Sequence, residues 1–326
     1  MKKILFASTA LVATAGVAAA DINFGGYGRF GVRYDENRGT VVAGTNTVSD
    51  TVIVSRFRMN IDGDATTDGG VRFSARVRLQ AGDARATGDQ TAAGLNGARF
   101  SVEYEGLRVD VGNAAGAIDN LPNYYGNEPG LTNFVGQYAG ANYGFQGYTS
   151  GGAGSNAVYA RYAVGDFAVA ASYDEASGGT AVGTSGDRWD IHAAYTFGNI
   201  TAALAYGETD TTVSQDMTVL TLGGSWGAFS GTFFVGDETV NTAAGVFDAS
   251  ISDTFYGLSA AYDVSSATTI TASYGDGSGT GDAQAYGLGV IHDLGGGVSL
   301  RGGVGSTKTG AGSSSTVADF GAQFSF

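Results

Sequence analysis

Apolar and polar residues alternate one by one along most of this chain, a period of two that suits a strand with one dry and one wet face and does not suit a helix. From Asp21 one set of positions reads Ile22, Phe24, Gly26, Gly28, Phe30, Val32 and Tyr34, and the other reads Asn23, Gly25, Tyr27, Arg29, Gly31 and Arg33. Ile53, Phe57, Met59 and Ile61 oppose Arg56, Arg58 and Asn60, and Val71, Phe73, Ala75, Val77 and Leu79 oppose Arg72, Ser74, Arg76, Arg78 and Gln80. The last run sets Ala318, Phe320, Ala322, Phe324 and Phe326 against Asp319, Gln323 and Ser325. Followed throughout, the pattern predicts sixteen strands, near 22–34, 51–61, 71–80, 98–105, 107–112, 157–163, 167–173, 188–197, 200–206, 217–226, 229–235, 254–262, 268–274, 284–292, 298–304 and 316–326.

The connections alternate long and short, from 35–50 and 62–70 to 293–297 and 305–315, so every long loop falls at one end of an up-and-down sheet. Bacterial outer-membrane barrels have this asymmetry, with short periplasmic turns and longer external loops. Lipid offers no partner to backbone N–H and C=O groups, so a sheet with an apolar outer face spans a bilayer only when closed. The expected fold is therefore all-β: a 16-stranded antiparallel transmembrane β-barrel, wide enough to leave an aqueous channel lined by the polar set. Tyr34, Tyr173, Tyr206 and Tyr274 precede long loops, while Tyr104, Tyr162, Tyr195, Phe197, Trp226, Phe229 and Tyr262 flank short turns, as two interfacial girdles require.

Composition agrees with strands and removes other classes. The 326 residues include 55 Gly, two Pro and no Cys, which sets aside disulfide scaffolds, cysteine catalysis and zinc ribbons. A net charge of -14 argues against nucleic acid as a partner. Residues 1–20 follow the secretory pattern: Lys2 and Lys3, an apolar run from Ile4 to Val17, then Ala18, Ala19 and Ala20 before Asp21. Residues 21–326 are expected to form one barrel domain.

Of fourteen arginines, eleven lie between residues 29 and 108, and nine of these fall on the polar face: Arg29, Arg33, Arg56, Arg58, Arg72, Arg76, Arg78, Arg99 and Arg108. Two such charges about 5 Å apart repel by roughly 0.8 kcal/mol even in water, so counter-charges are needed. Glu103, Glu105 and Asp110 supply some locally. The segment 113–156 is the other source. It holds both prolines, Pro122 and Pro129, is rich in aromatics such as Tyr124 and Tyr125, and carries only Asp119 and Glu128 as charges. A loop of that length and apolar content is expected to pack against something, and folding into the lumen would set Asp119 and Glu128 opposite the arginines. An external lid is the alternative.

Other motifs lead nowhere specific. Gly26 to Gly31 matches G-x-G-x-x-G inside a strand, where no dinucleotide site forms. His192, with Asp190 two residues away, lacks a nucleophile motif, so no catalytic residue is expected. The acids of the long loops (Asp35, Glu36, Asp50, Asp174, Glu175, Asp187, Asp237, Glu238, Asp253) read as a solvated surface on which some could hold structural Ca2+; no other cofactor is expected.

Gly26-Tyr27-Gly28-Arg29-Phe30-Gly31, Ser55 to Ile61, Arg76-Val77-Arg78-Leu79-Gln80 and the terminal Phe326 resemble the general diffusion porins of the Gram-negative outer membrane, above all those of purple photosynthetic bacteria. The resemblance implies a homotrimer of 16-stranded barrels among lipid and lipopolysaccharide, with a third external loop constricting each lumen and small polar solutes and ions passing through. It matches Arg29, Arg56, Arg58, Arg76 and Arg78 to the basic wall of the constriction and Asp119 and Glu128 to its loop acids, and it makes Phe326 the signal read by the barrel assembly machinery. A solute-selective porin, or a barrel with an adhesive or enzymatic role, is the alternative reading; an aromatic track along the lumen, a fixed repeat, or a lipid-level Ser and His pair would mark these, and none is visible.

Overall fold

The computed structural model describes residues 21–38, 49–84, 89–144, 148–154, 156–175, 187–210, 214–241 and 245–326. The predicted leader, residues 1–20, lies outside the described residues. Sixteen antiparallel strands follow one another in chain order: β1 (Asp21–Asp35), β2 (Thr51–Thr66), β3 (Arg72–Ala84), β4 (Arg99–Tyr104), β5 (Leu107–Gly112), β6 (Ala157–Val164), β7 (Phe167–Glu175), β8 (Asp187–Phe197), β9 (Ile200–Asp210), β10 (Gln215–Trp226), β11 (Phe229–Val240), β12 (Thr254–Asp263), β13 (Thr268–Gly277), β14 (Gln284–Gly295), β15 (Val298–Lys308) and β16 (Ser315–Ser325). Two dipeptide ladders, Asp89–Gln90 and Gly94–Leu95, add to the upper edge of β3, beyond the reach of the six-residue β4.

β16 pairs with β1 from Tyr27↔Ser325 to Asp35↔Val317 and closes the barrel. The last residue completes the seam: Gly26 N donates to the Phe326 carbonyl at 2.9 Å, and Phe326 N donates back to Gly26 at 3.1 Å. The Phe326 ring stacks on Phe57 at 5.6 Å.

The usual inside and outside are exchanged. Phe24, Phe30, Ile53, Phe73, Leu204, Leu222, Leu288 and Phe320 are exposed on the outer face, whereas Arg33, Asp190, His192, Thr221 and Asp319 are buried toward the lumen. Short turns sit where the residue types demand. Glu105 and Gly106 both have positive φ (42° and 85°), the two-residue I′ geometry that matches strand twist. At the turn end Trp226 pairs with Phe229 and Phe229 with Tyr262, giving a run of exposed aromatics along the interface.

Several strands extend further than the sequence pattern indicates. β9 continues past Tyr206 to Asp210, β11 past Val235 to Val240 and β13 past Tyr274 to Gly277. Beyond the tyrosines the outward positions become polar, as at Glu208 and Asp210, so the alternation of hydrophobicity stops at the interface while the hydrogen-bond ladder does not.

The two faces respond differently to charge. Leu222→Arg, in the outward row of β10, is expected to lose about 2–4 kcal/mol of folding stability in bilayers, whereas Ser230→Arg on the lumenal row of β11 loses close to none. Urea titration of the two variants in lipid vesicles reads this difference, and equal losses would contradict the assignment of faces.

Candidate functional site

The described residues of the segment between β5 and β6 run inside the barrel. Ala117 N donates to Ser172 Oγ at 2.8 Å, Asn123 Nδ2 donates to the Thr201 carbonyl at 3.0 Å, and Thr221 Oγ1 donates to the Pro122 carbonyl at 2.6 Å. Asn127 N donates to Ser259 Oγ at 2.8 Å. Its tip reaches β16 and β2, where Leu131 N and Thr132 N donate to Asp319 at 2.8 and 2.7 Å and Leu131 packs on Val52 and Val54. The returning limb passes Glu238, which accepts from Asn142, and Asp190, which accepts from Tyr143 Oη at 2.8 Å. Three inward carboxylates, Asp190, Glu238 and Asp319, thus peg one loop at three places around the wall.

The wall beneath the loop lacks side chains where the loop backbone comes closest. A Cβ on Gly257 would meet the Gln137 carbonyl at 2.0 Å, and one on Gly289 would lie 2.9 Å from Gly130 N. Part of the wall beneath the loop is apolar: Met217, Val219, Phe234 and Phe255 are buried against Ile118, Leu121 and Tyr124. Tyr124 stacks on Tyr138 at 5.7 Å and meets Phe234 edge-on at 5.1 Å. It belongs to the packing of the loop on the wall. Tyr125 stands on the open side, edge-on to Tyr138 at 5.2 Å.

The loop acids are held by these tyrosines. Tyr125 Oη donates to Asp119, and Tyr138 Oη donates to Glu128 at 2.6 Å. Burial pushes both carboxyls above their ordinary values, opposed by the hydrogen bonds from Tyr125 to Asp119 and from Tyr138 and Asn133 to Glu128. Burial and the adjacent carboxylates push the Tyr125 and Tyr138 hydroxyls well upward, so both remain donors.

The predicted arginine positions fall on β1 to β5, and they divide by partner. Arg33 pairs with Asp35 at 3.1 Å and donates to Thr132 Oγ1 at 2.9 Å; Arg29 donates to the Leu131 carbonyl at 3.0 Å. Arg72 lies 3.6 Å from Asp64 and 3.7 Å from Glu103, Arg76 holds Asp62 at 2.5 and 3.0 Å, and Arg108 holds Asp110 at 2.9 Å. Among the described residues Arg56, Arg58 and Arg78 have neutral partners: Tyr27 Oη, Gln80, Asn60 and Ser150. Among the described residues no ion pair joins an arginine to Asp119 or Glu128.

Two expectations change. Glu238 and Asp174 were expected on a solvated loop surface, but they are 3% and 5% exposed, because the strands extend far enough to turn both inward. His192 Nδ1 lies 2.7 Å from the Ala117 carbonyl, which requires that nitrogen to carry the proton, so the ring is a further tie to the loop. Asn142 and Ser150 carried no signal in the sequence, and the polar row that holds Asp319 gave no sign of its bonds to the loop. Among the described residues no group of three or more His, Asp or Glu is assembled as a metal ion would need.

Docking of the loop gains stability as pH falls through the window between the ordinary carboxylate values and the raised ones, because the docked state retains these two protons longer. A carboxyl NMR titration should find midpoints above about 3.9 for Asp119 and about 4.3 for Glu128. Tyr125→Phe should move Asp119 higher still; midpoints at or below those values would contradict the buried setting.

Comparison with known proteins agrees with this architecture. The Gram-negative porin family model matches residues 7–312. A porin of Rhodobacter capsulatus is 28% identical over 290 residues, 83% of this chain and 93% of that one. A porin of Fuscovulum blasticum is 41% identical over 111 residues, 34% of this chain, and the match spans only 35% of that porin's length. A solved structure of a mutant of Rh. blastica porin, 28% identical, superposes with a TM-score of 0.75 and covers 94% of this chain and 100% of that one. The chain belongs to the Gram-negative porin family, as a multi-pass β-barrel of the outer membrane.

Proposed function

We propose that the protein is a water-filled channel through which small hydrophilic solutes and ions cross the outer membrane by passive diffusion, without a chemical step. The observation that carries this reading is a barrel lumen narrowed by one internal loop yet lined on β1 to β5 by a field of arginines that the loop acids do not neutralise. In this reading Arg29, Arg33, Arg56, Arg58, Arg72, Arg76 and Arg78 form the basic wall of the constriction, and Asp119, Glu128 and Tyr125 form the opposing edge. Polar solutes align in the resulting field, and apolar ones pay to displace ordered water.

Three copies associate in the plane of the membrane, among lipid and lipopolysaccharide, as the resemblance implies. Residues 1–20 direct secretion, and Phe326, exposed beside Phe57 at the seam, is the residue offered to the assembly machinery.

A guanidinium passed at about 5 Å changes the energy of a monovalent ion by roughly 0.8 kcal/mol in water, and salt reduces this. Replacing Arg56, Arg58 and Arg78 together by Gln should therefore lower anion relative to cation permeability several-fold at low ionic strength. Reversal potentials across a salt gradient in planar bilayers measure it. Unchanged potentials in channels that still conduct would remove the basic wall from the account.

A further inference from the structure

The division of the arginines by partner has a consequence for what the channel holds. Among the described residues, the ion pairs on the wall join Asp35 to Arg33, Asp62 to Arg76, Asp64 to Arg72, Glu103 to Arg72 and Arg108, and Asp110 to Arg108. Arg56, Arg58 and Arg78 remain as three adjacent cations whose partners, among the described residues, are neutral oxygens. Arg58 Nη2 and Arg78 Nη1 both donate to the single hydroxyl of Ser150, at 3.1 and 2.9 Å, which holds the two nitrogens no more than about 6 Å apart. Arg56 and Arg78 both repel the Arg58 guanidinium. In a chain whose net charge is -14, like charges converge here on an uncharged oxygen.

The surroundings keep the forks in place. Arg58 Nε donates to Gln80 at 2.7 Å and Arg78 Nε to Asn60 at 2.8 Å, which fixes both guanidinium planes from the wall side. The Tyr27 ring lies 5.3 Å from the Arg58 guanidinium carbon, and the Tyr148 ring 5.3 Å from that of Arg78. Ser150 and Tyr148 arrive on the returning limb of the internal loop, tied down by Asn96 Nδ2, which donates to the Thr149 carbonyl at 2.7 Å. The site is therefore preorganised before any solute enters it.

We propose that Arg56, Arg58 and Arg78, with Tyr27 and Ser150 at the rim, form a saturable binding site for the phosphate group of a dianionic solute. A carboxylate presents two oxygens in one plane and satisfies a single fork. A phosphate monoester presents three oxygens in different directions, and its double charge answers three cations that share no carboxylate. The solute's oxygen takes the place of the Ser150 hydroxyl between the two guanidiniums, and the site faces the lumen, so its occupant is a diffusing solute and not a lipid headgroup.

This inference rests on the channel reading, and one experiment separates them. In a planar bilayer in potassium chloride, glycerol 3-phosphate is titrated against the open-channel current of the full mature chain, with glycerol and acetate as controls. The expected result is a current block that saturates with glycerol 3-phosphate and not with either control. In Arg58→Gln/Arg78→Gln the concentration for half-block should rise at least tenfold, and in Arg58→Lys, which keeps the charge but loses the fork, it should rise by less. A block that never saturates, that acetate reproduces, or that survives the double variant would overturn the phosphate site and leave the channel standing. Absence of any chloride current from correctly folded protein would overturn the channel reading itself.

Discussion

Hydrocarbon cannot hydrogen-bond a peptide group, and everything else about this molecule follows from that constraint. A strand in lipid must find its partners in other strands, and the sheet must end where it begins. The β1–β16 ladder and the reciprocal Gly26 and Phe326 bonds meet that requirement at the seam. Once the sheet is closed, the two-residue repeat divides every strand into a row for lipid and a row for water. The polar row becomes the inner surface of the barrel, where charges that would be costly elsewhere are tolerated.

That inner surface is used twice. On one side its carboxylates act as pegs: Asp190, Glu238 and Asp319 accept hydrogen bonds from the loop. Gly257 and Gly289 let the loop backbone approach there, and an apolar patch around Phe234 and Phe255 gives it something to bury. On the other side the carboxylates are fewer than the arginines, and the surplus positive charge stands in the open lumen. Acids that hold the loop, and neutral partners among the described residues at Arg56, Arg58 and Arg78, are one arrangement with two effects: a loop held in position and a wall left basic.

Much of this is legible in the chain before folding. The sixteen strands, the sorting of long and short connections and the arginine-rich row on β1 to β5 follow from alternation, because burial on one face and wetting on the other leave a period-two trace. What alternation cannot record is what lies where both faces are covered. On β10 the consecutive Val219 and Leu220 are both apolar, since Ile118 and Tyr124 cover the inward row and lipid covers the outward one. Strand ends beyond the interface are hidden for the opposite reason, because both rows there are wet. The length, prolines and aromatics of 113–156 mark it as a packed segment, but nothing local says that Glu238 would hold Asn142 or that Ser150 would sit between Arg58 and Arg78. These are contacts between residues 96 and 92 or 72 positions apart, and they exist only once the barrel has closed.

The native chain has no cysteine, which makes the central claim directly measurable. Single cysteines at Ser74 and Ala75, neighbours on β3, are exposed in lipid vesicles to a membrane-impermeant thiol reagent and, separately, to a quencher confined to the acyl chains. The account predicts that the reagent labels S74C and spares A75C, and that the quencher acts on a fluorophore at position 75 and not at 74. Labelling of both positions from water, or the reverse pattern, would contradict a closed sheet with its wet row inside.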